Sequence, residues 1–157
     1  MPDHYYTQTP TSAHKPGQVD FLWRGAKLVF ETDSGVFSRT EIDKGTEILL
    51  NALPEELTGS LLDMGCGYGV IGVTLGKRHP GLSVVMSDVN ERAVELSRRN
   101  AQRNGVPARV MQSDGYADVP FQRMDWIVQN PPIRAGKSVI YAMFAEGARR
   151  LEPSGEL

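Results

Sequence analysis

A glycine-rich loop between a predicted buried strand and a predicted helix constrains the fold of this chain more than any other feature. Residues 61–72 read LLDMGCGYGVIG, in which an apolar run leads to Asp63 and glycines follow at positions 65, 67 and 69. Because glycine has no Cβ and tolerates positive φ, such a loop lets the backbone and a ligand approach closely. We therefore expect a ligand at this loop.

Strands and helices alternate from this loop onward. The predicted strands are 61–64, 82–87, 109–112 and 124–128, and the predicted helices are 70–78, 91–104 and 138–151. The near-continuous apolar run of 82–87 is typical of a parallel strand that is buried on both faces. The alternation predicts an α/β fold, a Rossmann-like doubly wound and mostly parallel sheet with helices on both faces.

Smaller elements precede this part of the chain. Residues 1–17 are polar and proline-rich, which predicts an irregular arm, and residues 18–157 are expected to form one domain. A β-hairpin is predicted over 19–31, around Arg24-Gly25. Apolar residues then recur at helical spacing until Pro54.

The C-terminal end is expected to be incomplete. The helix predicted over 138–151 is followed by Pro153 and Gly155, which we read as its stop signals. A fifth strand of the sheet would then begin only where the sequence ends, so the last strands of the fold are expected to be missing.

Composition excludes few functions but narrows the setting. Seventeen basic and nineteen acidic residues give a net charge of -2, which offers no basic excess of the kind that marks nucleic-acid binding. Cys66 is the only cysteine, which fits a reducing compartment. We expect a cytoplasmic protein without a membrane span or signal peptide, and no metal, since no His, Cys and Asp residues cluster at metal-ligand spacing.

Polar residues follow four predicted strands where each ends. They are Asp63, Asp88, Asp114 and Asn130. In open α/β sheets the ligand lies beyond the carboxyl ends of the strands. Packing alone does not explain four polar residues at such positions, because burying an apolar side chain costs less free energy than burying a polar one. The pattern predicts a ligand site along this edge.

A dinucleotide is one possible ligand, because residues 67–72 match the GxGxxG fingerprint. The match is out of register, since the glycine directly after the strand is Gly65 and the third fingerprint position counted from it is Val70. Asp63 would also repel a pyrophosphate, whereas it would favour a cationic amino-acid group. A nicotinamide oxidoreductase is therefore disfavoured.

The DxGxGxG pattern of residues 63–69 resembles motif I of the class I S-adenosylmethionine (SAM) methyltransferases. The resemblance implies that the glycine loop surrounds the methionine part of SAM. It also implies that Asp88 binds the ribose hydroxyls and that Asp114 accepts from the adenine amine. The expected cofactor-binding residues are Asp63, Gly65, Cys66, Gly67, Asp88, Val89, Asp114, Gly115 and Asn130.

Residues 130–133, which read NPPI, indicate the substrate class. The lone pair of an sp² exocyclic amine is delocalised, so the nitrogen is a poor nucleophile. The Asn130 side-chain oxygen and the Pro131 carbonyl can accept its N–H bonds and aim it at a methyl group, which is catalysis by positioning and dipoles. The expected catalytic residues are Asn130, Pro131, Pro132 and Ile133.

Two further stretches carry a narrower resemblance. Residues 37–50 resemble the segment before motif I in the small MTS domain of bacterial ribosomal RNA guanine-N2 methyltransferases, and residues 130–136 resemble its NPPxxxG stretch. The resemblance implies methylation of guanine N2 in ribosomal RNA. Where this family usually has an aromatic residue that stacks on the base, this chain has Ile133. Candidate RNA contacts are Lys15, Arg24, Lys27, Arg39, Arg134 and Lys137.

Two alternatives stay open at this point. NPP turns also serve the methylation of protein glutamine side chains, and Ile133 does not separate the two substrates. The chain could also be a non-catalytic methyltransferase-like module. The intact loop and NPP stretch argue against this second alternative, while the missing C-terminal strands argue for it.

Overall fold

A computed structural model describes residues 17–33, 41–129 and 136–156. The elements in chain order are β1 (Gly17–Trp23), β2 (Ala26–Thr32), α1 (Lys44–Ala52), β3 (Ser60–Met64), α2 (Val70–Arg78), β4 (Ser83–Asp88), α3 (Glu91–Arg103), β5 (Ala108–Gln112), β6 (Met124–Gln129), α4 (Lys137–Arg149) and β7 (Leu151–Glu156). None of the helices in these ranges is long and apolar enough to cross a membrane.

Five strands form one parallel sheet in the order β5-β4-β3-β6-β7. The chain runs outward from β3 through β4 to β5 and then returns to the other side of β3. The strand order therefore reverses between β3 and β6, which is where open α/β sheets bind ligands. The predicted α/β Rossmann-like class is confirmed.

The central strands of the sheet, β3 and β4, are buried on both faces. Successive side chains of β3 point to opposite faces, so Leu61 packs in one apolar cluster while Leu62 and Met64 pack in another. The first cluster includes Val73 of α2, and Met143 of α4 packs against the second. Burial on both faces explains why these strands read as continuous apolar runs.

The predicted hairpin is β1 and β2, which pair in antiparallel fashion with Trp23 opposite Ala26. Both turn residues have positive φ, 45° at Arg24 and 83° at Gly25, as a two-residue hairpin turn requires. The hairpin is held to α3 by asparagine side chains: Asn100 Oδ1 accepts from the Glu31 N–H at 2.7 Å. Strand β1 begins at Gly17, the last residue of the predicted arm, and the rest of that arm lies outside the described residues.

The predicted end of the last helix is wrong, and the fifth strand begins earlier than expected. Helix α4 ends at Arg149, and Leu151, which we assigned to the helix, begins a fifth strand parallel to β6. Pro153 is tolerated because β7 pairs on one side only in the described sheet. A Cβ at Gly155 would lie 2.8 Å from the Asp125 carbonyl oxygen. Its lack of a side chain therefore serves close strand approach instead of a helix stop.

Candidate functional site

The glycine loop is held by the end of the neighbouring strand. The Gly65 and Cys66 N–H groups both donate to the Ser87 carbonyl, at 2.8 and 2.9 Å. Gly65, Gly67 and Gly69 have φ of 81°, 60° and 98°, which is the left-handed region that favours glycine. The loop can therefore take this path only because its alternate residues lack a Cβ.

Asp88 ties this loop to the start of α3. Its Oδ2 accepts from the Gly67 N–H at 2.9 Å, and its Oδ1 accepts from the Asn90 N–H at 2.9 Å. Asn90 in turn caps α3, since its side chain accepts from the backbone N–H groups of Arg92 and Ala93. The Asp88 carboxylate is thus fixed in position by backbone donors.

Asp63 lies behind the loop and is 1% exposed. Its Oδ2 accepts from the Gly72 N–H at 2.9 Å. Burial raises the pKa of Asp63 to about 7, the Gly72 hydrogen bond opposes this rise, and the nearby Asp88 charge adds to it. An ionised Asp63 is therefore unfavourable unless a positive charge comes close.

Gly72 has a packing role that explains the accidental dinucleotide fingerprint. A Cβ there would lie 2.5 Å from Met86 Sδ and 3.2 Å from Asp63 Oδ2. The helix can approach strand β4 and the Asp63 carboxylate only because this residue has no side chain.

Two cavities meet at Gly65 on this edge of the sheet. The larger has a volume of about 520 Å³ and is lined by Asp88 and Val89 after β4, by the turn after β5 and by one face of α4. The smaller has a volume of about 230 Å³ and lies between the loop, the start of α1 and Gln129 at the end of β6. Both are open to a ligand that spans the strand ends.

The larger cavity has the chemistry that a nucleoside needs. The buried carboxylate of Asp88 and the exposed residue Asp114 both line it. Apolar side chains, among them Val89, Val139 and Met143, line it as well. Carboxylates can accept from hydroxyl and amine donors, and an apolar wall suits a flat aromatic ring.

The predicted cofactor residues fall into four groups. Gly65, Asp88, Val89, Asp114 and Gly115 line the larger cavity, and Gly65, Cys66 and Gly67 line the smaller one. Asp63 lies behind the loop, and Asn130 with the rest of the predicted catalytic stretch lies outside the described residues. Their roles stay predictions.

Cys66 is part of the apolar packing around the glycine loop. Its side chain is buried, with Sγ 3.3 Å from Ser97 Oγ. Burial raises the pKa of the thiol well above its usual range, and the charges of Asp88 and Asp63 add to the rise. The thiol is therefore held protonated, which disfavours a nucleophile.

Sequence reasoning missed part of the smaller cavity. Asp43, Thr46 and Leu49 line it from the start of α1, and Gln129 lines it from β6. Asp43 caps α1 by accepting from the Thr46 N–H at 3.1 Å. The cap pattern was visible in the sequence, and Gln129 was marked by its position directly before the NPPI stretch.

The candidate RNA contacts are not equally free. Arg24 is used within the fold, because it donates to the Leu53 and Pro54 carbonyls at 3.0 and 3.1 Å and lies over the Trp23 ring. Lys27 and Lys137 are exposed. Lys15, Arg39 and Arg134 lie outside the described residues.

Arg150, the residue directly after α4, is a buried cation. It is 8% exposed, pairs with Glu146 at 2.6 Å and donates to the Val119 carbonyl at 2.9 Å. Its guanidinium also lies 4.7 Å from the Tyr116 ring centre. The end of α4 places the Arg150 guanidinium against carbonyl groups of the turn after β5. The helical spacing of residues in the sequence does not predict this contact.

Comparison with known proteins gives consistent matches. The family model of the methyltransferase small domain matches residues 27–157. The Bacillus subtilis protein YbxB is 43% identical, over 100% of this chain and 80% of that protein. The ribosomal RNA small subunit methyltransferase C of Hahella chejuensis is 42% identical, over 97% of this chain and 47% of that protein.

A solved structure agrees with these matches. The T. thermophilus 16S rRNA N2 G1207 methyltransferase, solved with AdoMet and guanosine, superposes with a TM-score of 0.79 at 29% identity, covering 93% of this chain. This chain corresponds to 41% of that protein, so it spans less than half the length of the rRNA-modifying relatives named here.

Proposed function

This chain belongs to the methyltransferase small domain family, whose cofactor is SAM, and from that premise we propose that it methylates the exocyclic N2 amine of a guanine in ribosomal RNA. The observation that carries the proposal is the pair of cavities that meet at Gly65, one suited to a nucleoside cofactor and one beside the end of β6.

The larger cavity would hold the adenosine part of SAM. Asp88 would accept from the ribose hydroxyls, because it lines this cavity and a carboxylate oxygen can accept more than one hydrogen bond. Asp114 would accept from the adenine amine, with Val89 and Gly115 against the ring.

The glycine loop would hold the methionine part. Asp63 favours a positive group nearby, because its buried charge has only the Gly72 N–H bond to stabilise it among the hydrogen bonds of the described residues. Gly65, Cys66 and Gly67 would present backbone to the amino-acid end of SAM. When bound, SAM supplies an electrophilic methyl group on a sulfonium sulfur.

The smaller cavity would receive the target base. It lies at the carboxyl end of β6, directly before the NPPI stretch. In this proposal Asn130 and Pro131 accept the N–H bonds of the target amine, while Pro132 stiffens the turn and Ile133 contacts the base. These four roles rest on the sequence, since the stretch lies outside the described residues.

Ribosomal RNA as substrate is supported by the H. chejuensis and T. thermophilus relatives, whose names give rRNA methylation. The net charge of -2 means that any RNA contact must come from local basic residues. Lys27 and Lys137 are the exposed candidates among the described residues.

Methyl transfer from radiolabelled SAM tests the proposal. The substrates would be small ribosomal subunits or their RNA, an RNA oligonucleotide with one unpaired guanine, and a glutamine-containing peptide. We expect label in RNA, recovered as N2-methylguanosine after digestion. Label in the peptide alone, or at another base, would contradict the proposal, and so would no transfer by a chain that binds SAM.

A further inference from the structure

Gln129 is a polar side chain on the wall of the smaller cavity. It ends β6 beside Met64 of β3 in the sheet register. It lines the cavity together with Gly65 and Tyr68 of the glycine loop. The side chain therefore borders the space that the proposed function gives to the target base.

A neighbouring tyrosine fixes the direction of the Gln129 amide. The Tyr116 hydroxyl donates a hydrogen bond to Gln129 Oε1. Burial raises the pKa of this hydroxyl well above its usual range, so it stays protonated and can donate. The Arg150 guanidinium lies over the Tyr116 ring and donates to the Tyr116 carbonyl at 3.4 Å. The acceptor end of Gln129 is thus occupied by a tyrosine that is itself held in place.

The donor end of the same amide is not used by any residue that the structure describes. Gln129 Nε2 is buried and has no hydrogen-bond partner among the residues that the structure describes. An unpaired buried donor carries the desolvation penalty of the group. Such groups are rare in folded proteins, so each one calls for a functional or structural explanation.

We infer that Gln129 is a specificity-determining residue whose Nε2 donates to the O6 carbonyl of the target guanine. The inference rests on the proposed function and names the group that selects the base. A fixed donor accepts guanine, which carries an oxygen at this position, and rejects adenine, which carries an amine. In this role Gln129 takes no part in proton transfer.

Methyl-transfer kinetics with an altered base would test this role. Single-stranded RNA would carry either guanine or 2-aminopurine, which keeps the N2 amine but lacks O6, and kcat/KM would be measured for both. The variant Gln129→Met removes the donor at similar size. Gln102→Met, at an exposed position on α3, is the matched control.

We expect the wild type and Gln102→Met to prefer guanine by about 10–100-fold, the usual size for an unmade hydrogen bond to a buried donor. Gln129→Met should reduce this preference to within about twofold, by losing rate on guanine alone. A preference that is absent in the wild type, or unchanged in Gln129→Met, would overturn the inference. So would a loss of SAM affinity in Gln129→Met, since it would assign the donor to the cofactor.

A binding measurement separates this inference from the proposed function. Guanosine and 2-aminopurine riboside would be titrated into protein saturated with S-adenosylhomocysteine, which needs no turnover. Tighter binding of guanosine in the wild type, lost in Gln129→Met, supports the inference even where rRNA is not methylated. Equal binding of both nucleosides in the wild type overturns it, whatever the RNA assay gives.

Discussion

The two cavities that meet at Gly65 are built in different ways. Beside the larger cavity, the two polar side chains after β4 are buried and bound to backbone: Asp88, which lines the cavity, is 3% exposed, and Asn90 is 0% exposed. We call this part, with the glycine loop, the cofactor side. Around the smaller cavity, Leu49 is 37% exposed and Gln129 has a donor without a partner among the described residues. We call this part the substrate side.

The difference indicates which side is complete before a ligand arrives. The hydrogen bonds on the cofactor side already order the loop, so SAM binding carries a smaller free-energy cost for ordering it. The substrate side keeps an open wall and a spare donor for a ligand to use. We therefore expect SAM to bind without RNA, and substitutions on the cofactor side to cost more stability than those on the substrate side.

Gly72→Ala should give the largest loss of stability, because it forces a Cβ against Met86 and Asp63 in the tightly packed cofactor side. The added atom would lie 2.5 Å from Met86 Sδ. We expect the free energy of unfolding to fall by about 1–3 kcal/mol, the typical range for overpacking. Chemical denaturation measures it.

Gly81→Ala is the matched control, since a Cβ there meets nothing within 4 Å among the described atoms. It should change stability by less than about 0.5 kcal/mol. Equal losses of unfolding free energy in Gly72→Ala and Gly81→Ala would contradict the claim that the cofactor side is tightly packed before a ligand binds.

Asp63 should make the stability of the ligand-free protein depend on pH. Its pKa is about 7 in the folded state against an ordinary value of 3.8, so the folded state holds the proton more tightly. The stabilisation is fully present below about pH 4 and is lost as pH rises through 7. We expect a loss of roughly 2 kcal/mol between pH 5 and pH 8.

The variant Asp63→Asn should flatten this profile, whereas Asp20→Asn, at an exposed residue of β1, should leave it unchanged. Urea unfolding at several pH values measures both. A flat wild-type profile would mean that the Asp63 charge is already compensated in the free protein.

The helix caps on the two sides offer the smallest test. Asn90 is buried and accepts from two backbone N–H groups of α3, at 2.9 and 3.2 Å, while exposed Asp43 accepts from one backbone N–H of α1 at 3.1 Å. We expect Asn90→Ala to cost about 1–2 kcal/mol and Asp43→Ala about 0.5 kcal/mol. A reversed order in thermal unfolding would contradict the difference between the sides.

Local patterns made much of the cofactor side predictable. The glycine loop, the acid after β4 and the cap Asn90 each depend on residues close together in sequence, and their elements lie within two residues of the predicted bounds. Positive φ at Gly65 follows from the residue type.

Tertiary contacts decided what the sequence did not reveal. Proline and glycine occur both where a helix stops and in a strand at the edge of a sheet. For Pro153 and Gly155, only the pairing of β7 with β6 distinguishes the two cases. Arg150 is held in a buried position by hydrogen bonds to carbonyl groups about thirty residues earlier in the chain. The Tyr116 bond to Gln129 likewise joins two elements whose proximity no periodicity predicts.

Calorimetric titration of SAM into the wild type and Asp88→Ala, without RNA, tests the central claim most directly. The account predicts binding by the wild type and a loss of about 100-fold or more in Asp88→Ala, since a charge-assisted acceptor and the anchor of the loop are removed together. Asp20→Asn should bind like the wild type. No binding by a folded wild type, or equal binding by Asp88→Ala, would contradict a preassembled cofactor side.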